Sequence, residues 1–100
     1  MSTTMSLVHE IIEDLSRRKK SVACLGKQGL RNYLSDLGFT DTEGKTPGHR
    51  VFTHEMLSRQ ADFISFSIDC GHKPKREMKF QYVVKTIKIL QKYDQHLNIY

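Results

Sequence analysis

Tryptophan is absent from these 100 residues, which hold only two prolines and two cysteines. Any core must therefore be built from Leu, Ile, Val, Phe and Tyr. Secreted chains this short usually carry several paired cysteines, so Cys24 and Cys70 are expected as reduced thiols of a cytosolic protein. No apolar run approaches membrane-spanning length, and Glu10, Glu13 and Asp14 follow Leu7 and Val8 too closely for a secretory segment. The expectation is a soluble cytoplasmic protein with no membrane partner. There is no glycine-rich loop ending in Lys-Ser/Thr, no G-x-S-x-G and no cysteine-pair zinc motif. The acids are scattered singly, which disfavours two-metal phosphodiester chemistry. Neither a metal nor a cofactor is expected.

What is present is enough for one small domain. A chain of this length buries roughly two-thirds of its unfolded surface, and its 38% hydrophobic content argues against disorder. The formal net charge of +5 favours polyanionic partners such as nucleic acid, an acidic protein or an anionic surface, without choosing among them.

Periodicity sets out the elements. Val8, Ile11, Ile12 and Leu15 recur at helical spacing, predicting an amphipathic helix from about Thr3 to Arg18 that ends in cations suited to a helix C-terminus. Leu30, Tyr33, Leu34 and Leu37 predict a second helix, stopped by Gly38 in a left-handed cap. Its start is open, near Ser21 or after Gly26. From Phe39 the period changes. Phe39–Glu43 predicts a short strand, Gly44–Gly48 a turn and His49–His54 a second strand. Glu55–Gln60 reads as a polar loop or a helical turn. Asp62–Ile68 alternates, with Ile64, Phe66 and Ile68 on one face and Phe63, Ser65 and Ser67 on the other, predicting a third strand. Cys70–Met78 predicts a basic loop, Lys79–Tyr93 a helix with the stripe Val83, Val84, Ile87 and Leu90, and Asp94–Tyr100 a fraying tail. Helices packed on one face of a small antiparallel three-stranded sheet make an α+β domain. The α-β-β-β-α core, with an extra N-terminal helix, has the order of double-stranded-RNA-binding (dsRBD-like) folds, an analogy of fold alone.

Basic charge concentrates late in the chain. Lys73, Lys75, Arg76, Lys79, Lys85, Lys88 and Lys92 face the single acid Glu77, and the basic loop leads into a helix start whose N–H groups favour phosphate. A solvated helix face is the plain alternative. Among the histidines, His9 and His96 read as surface residues. His49 and His54, five apart on a strand, point to opposite faces and chelate poorly. His49 follows Pro47-Gly48 at the mouth of a turn, where an imidazole is exposed and can exchange a proton with a ribose 2′-hydroxyl or a leaving oxygen. On spacing alone it is an ordinary loop histidine.

The run Leu37-Gly38-Phe39, an acidic turn and then Gly48-His49-Arg50-Val51-Phe52 resembles the hallmark of HicA toxins. In that family a helix ends in Leu-Gly-Phe/Trp, and a Gly/Ser-His pair precedes a polar residue and an aliphatic–aromatic pair. The third strand, basic loop and last helix match in order, so the resemblance covers roughly Leu7–Lys92. It implies a metal-independent endoribonuclease that cleaves messenger RNA and is neutralised by a HicB-like antitoxin. By the same resemblance His49 is the catalytic residue. RNA would be held by Lys45, Gly48, Arg50, Lys73, Lys75, Arg76 and Lys79, with Arg50 and Lys45 steadying the developing charge. A non-catalytic RNA- or DNA-binding module using the same surface is the alternative, and a plain protein-interaction domain a third. Oligomeric state is not legible.

Overall fold

A computed structural model describes residues 6–71 and 75–100. The elements run α1 (Leu7–Arg17), α2 (Leu30–Asp36), β1 (Thr40–Glu43), β2 (His49–Thr53), α3 (Glu55–Gln60), β3 (Phe66–Asp69), α4 (Phe80–Lys92) and α5 (Asp94–Leu97). The expected start of the first helix, Thr3, lies outside the described residues. The three strands form one antiparallel sheet in the order β1-β2-β3. This is the α+β arrangement that the change of period predicts.

Side chains on successive strand residues alternate between faces. In register, Asp41 pairs with Phe52 and Phe52 with Phe66, while Arg50 pairs with Ile68. These residues line the inner face. Phe52, Phe66 and Ile68 join one buried cluster with Val8, Ile11 and Leu15 of α1 and Val83, Ile87 and Leu90 of α4. Burying each such side chain fully is worth about 1.5–3 kcal/mol. The other face carries Thr40, Thr42, His49, Thr53 and Ser67 and is open to water. The helices thus cover one side of the sheet, and the polar side remains free.

Polar contacts close the ends of the helices. Asp14 accepts hydrogen bonds from Arg18 (2.6 Å to Nη2), Arg17 and the Tyr33 hydroxyl, and Arg18 also donates to the Gln28 carbonyl, at 2.8 Å. This fastens the end of α1 to α2. The second helix starts only at Leu30, so the connector from Ser21 is not helical. Its stop is the expected one: Gly38 is left-handed, with φ of +87°, a conformation that costs a side chain dearly.

Several expectations are corrected. Glu55–Gln60 is a helix, because the His54 ring accepts a hydrogen bond from the Leu57 N–H and caps it. The strand expected over Asp62–Ile68 begins only at Phe66, where the ladder with β2 ends at the pairing of Phe52 with Phe66. Without a ladder the residues before it do not alternate: Phe63 is buried among Phe39, Phe66 and Tyr93, while Ile64 is 83% exposed. The tail is also ordered. Leu97 of α5 is wholly buried, and the Tyr100 ring lies so close to Gly38 that a Cβ there would stand 2.6 Å from its Cζ.

The cysteines are not thiols. Cys24 and Cys70 form a disulfide that joins the α1–α2 connector to the end of β3. An isolated bridge between Ala23 and Glu77 and a hydrogen bond from the Met78 N–H to the Val22 carbonyl, at 2.9 Å, tie the same connector to the approach to α4. Length and composition suggested reduced cysteines; the contact that pairs them is tertiary. Among the described residues no helix is long and apolar enough to cross a membrane.

Candidate functional site

The turn between β1 and β2 builds the site. Its closing bonds run from the Gly44 N–H to the His49 carbonyl (2.8 Å) and from the His49 N–H to the Thr46 carbonyl (3.1 Å). Gly48 is left-handed, with φ of +87°, and a Cβ there would stand 2.7 Å from the Gly71 carbonyl oxygen. Only glycine lets the turn pass this close to the chain leaving β3. The Gly48 carbonyl accepts from the Cys70 N–H at 2.8 Å, which extends the sheet ladder by one bond.

His49 opens β2 on the solvent face, directly opposite Asp69 of β3. Its Nδ1 lies 2.6 Å from the Thr46 hydroxyl and its Nε2 3.5 Å from Asp69 Oδ2, with side-chain exposures of 46% for His49 and 34% for Asp69. The other carboxylate oxygen, Oδ1, accepts from the Gly71 N–H at 2.8 Å. An imidazole between a hydroxyl and a carboxylate, open to water on one side, can take up or release a proton where a ligand can reach it. Neither Thr46 nor Asp69 was singled out from the sequence.

Beside Asp69 the surface dips into a cleft of about 400 Å³ lined by Cys70, Gly71 and Met78 and by the charged residues Asp69, Arg76, Glu77 and Lys79. Lys75, Arg76 and Lys79 are exposed, so cationic groups stand around the side of the site that His49 faces through Asp69. Lys45 is exposed in the turn itself. Lys73 and His72 lie outside the described residues. Along α4, Lys88 is exposed, Lys85 donates to the Ser67 carbonyl at 2.9 Å, and Lys92 lies 3.8 Å from Asp62.

Arg50 is not brought to His49. As the next residue along the strand it points to the inner face, where its Nε donates to Asp41 Oδ1 at 2.8 Å. Arg31 donates to the other oxygen of the same carboxylate at 2.6 Å. The opposite orientation of His49 and His54 follows the strand period. His54 is 2% exposed and its Nε2 lies 2.9 Å from the Leu37 carbonyl, a purely architectural setting. His9 links Ser6 to Asp94 at the surface. Among the described residues no group of three or more His, Cys, Asp or Glu side chains is arranged to hold a metal ion. No family model, curated protein or solved structure matches the chain.

Proposed function

We propose that the protein is a metal-independent endoribonuclease toxin of the HicA type, cleaving messenger RNA in the cytoplasm and neutralised by a HicB-like antitoxin. The observation that carries the reading is the setting of His49: a half-exposed imidazole at the open end of a strand, on the polar face of the sheet, next to a cleft that Arg76 and Lys79 line together with Glu77. In the reaction the ribose 2′-hydroxyl attacks the adjacent phosphorus and gives its proton to His49. The O2′–P bond forms, the P–O5′ bond breaks, and the departing 5′-oxygen takes a proton from the imidazolium or from water. The products are a cyclic phosphate and a 5′-hydroxyl. Charge on the phosphorane is met by Lys45, Arg76 and Lys79, whose exposed heads can follow the RNA backbone. Arg50, held by Asp41, takes no part in that step. Among the described residues His49 is the one histidine at the site, and turnover by a single imidazole is slow. Cytoplasmic thiols work against a disulfide, but both cysteines are buried, which limits attack on their sulfurs.

The test is cleavage of a labelled RNA by the purified protein in excess EDTA, beside His49→Ala. Cleavage that needs His49 and no metal, with a cyclic-phosphate end, is the expected result. Cleavage unchanged in the variant refutes the assignment. RNA or DNA retention that falls steeply with salt, without scission in any condition, replaces it with the non-catalytic binding module.

A further inference from the structure

We propose that Asp69 is the positioning residue of this site, holding the His49 proton on Nε2 so that Nδ1 is the atom that accepts the proton of an incoming hydroxyl. The inference rests on the ribonuclease reading for its consequence in catalysis, but not for the geometry or for its principal test.

Three constraints converge on the arrangement. Sheet register puts His49 and Asp69 opposite each other on the solvent face, so their approach is set by the ladder rather than by a loop. The Gly71 N–H holds Asp69 Oδ1 and leaves Oδ2 turned to the imidazole. Thr46 stands at the other ring nitrogen, fixed by the turn bond between its carbonyl and the His49 N–H. Gly48 allows all three to meet, since a side chain there would push Gly71, and with it Asp69, away.

The chemistry of the partners then assigns the proton. An ionised carboxylate only accepts, whereas a hydroxyl both donates and accepts. The carboxylate therefore favours the hydrogen on the nitrogen that faces it, which turns the lone pair of the neutral ring toward Thr46. The order is carboxylate, imidazole, hydroxyl, the arrangement by which a base is oriented toward a hydroxyl it must deprotonate. Thr46 Oγ occupies the place from which a ribose 2′-hydroxyl would donate, and a substrate would enter by taking over that contact at Nδ1. At 3.5 Å between Nε2 and Oδ2 the two groups stand in charge contact rather than in a hydrogen bond, close enough for the carboxylate to bias the proton between the ring nitrogens. Stability does not account for the pair, because ion pairs this exposed contribute little to it.

The decisive measurement is the tautomer of neutral His49, read from the nitrogen chemical shifts of the ring by NMR, in the parent and in Asp69→Asn. Asparagine keeps an acceptor for the Gly71 N–H, and with its oxygen so engaged it presents amide hydrogens, not a lone pair, to the ring. The parent is expected to be in the Nε2–H form, and Asp69→Asn to shift toward Nδ1–H. A parent in the Nδ1–H form overturns the proposal whether or not any variant folds, and so does an unchanged tautomer in Asp69→Asn. Cleavage assays add the functional arm. Asp69→Asn is expected to lower kcat on the order of 100-fold with KM little changed, and Asp69→Glu to recover part of the loss. Equal kcat in parent and Asp69→Asn overturns the catalytic role of Asp69. A parent that cleaves no RNA overturns the ribonuclease reading, while the tautomer still decides whether Asp69 positions the ring.

Discussion

Replacing His54 by leucine tests whether this histidine is architecture. The ring is 2% exposed and lies edge-on to Phe39 and Tyr100, at centroid distances of 4.8 and 5.6 Å. Its Nε2–H donates to the Leu37 carbonyl at 2.9 Å, at the end of α2, and its Nδ1 accepts from the Leu57 N–H at 3.3 Å, at the start of α3. Leucine fills much of the space but leaves both backbone groups without that partner. Each orphaned buried group costs about 1–3 kcal/mol, so His54→Leu is expected to lose about 2–6 kcal/mol, a large share of the roughly 5–15 kcal/mol typical of a whole domain. Asparagine can still cap Leu57 but is too short to reach Leu37 as well, so His54→Asn is expected to lose about half as much. Urea unfolding followed by far-ultraviolet circular dichroism suits a chain without tryptophan. With a slope of about 1 kcal/mol per molar urea for a chain of this size, the leucine midpoint falls by roughly 2 M or more. A midpoint within about 0.5 M of the parent refutes the reasoning.

Three other outcomes follow from the packing. The disulfide spans 46 residues of chain, and chain-entropy arguments put its stabilisation at about 4 kcal/mol; equal urea midpoints with and without a phosphine reductant contradict that. Gly48→Ala combines a left-handed backbone with a Cβ 2.7 Å from a carbonyl oxygen, so a loss of about 1–3 kcal/mol is expected, and a Tm equal to the parent's shows that the turn relaxes freely. The Arg18 guanidinium, and after it the Tyr33 hydroxyl, hold the Asp14 carboxyl below the usual carboxylate range. Because the folded value is the depressed one, this stabilisation is present above about pH 4 and disappears as the pH falls from there toward the folded value. Asp14→Asn should flatten that part of the stability curve, and parallel curves below about pH 4 for parent and variant rule the linkage out.

Much of the frame was legible because its signals are local. Val8, Ile11 and Leu15, or Val83, Ile87 and Leu90, announce a helix by their spacing and are buried as that spacing requires. Gly38 and Gly48 mark positions where only a left-handed backbone turns the chain. What escaped was set by partners far along the sequence. The alternation over residues 62–65 has no neighbouring strand to pair with, so Phe63 turns to the aromatic core and Ile64 to water. Leu97 carries no periodicity, yet α5 packs against α1 and α4 and buries it, and Tyr100 rests against Gly38. Asp69 was invisible for a related reason. A helix intervenes between β2 and β3, so the register that faces it with His49 cannot be counted off from a tight turn. Arg50 misled in the opposite sense, since adjacency in a strand means opposite faces.

The ion pairs divide the two kinds of basic residue by role. Arg17 and Arg18 face Asp14, Arg31 and Arg50 share Asp41, and Arg59 faces Glu55. Among the described residues only Arg76 is an arginine without a carboxylate partner, whereas Lys92 is the only lysine that has one. Guanidinium forks can read base edges by two parallel bonds, but those of Arg18, Arg31 and Arg50 are half-buried as fasteners, while Arg17 and Arg59 keep side-chain exposures of 70% and 69% beside their carboxylates. Among the described residues most exposed cations without a carboxylate partner are ammonium heads, hydrated point charges that register the spacing of phosphates but not the identity of bases. A nucleic acid on this surface would be held with little regard for its letters, and whatever discrimination an unpaired guanidinium could add falls, among the described residues, to Arg76.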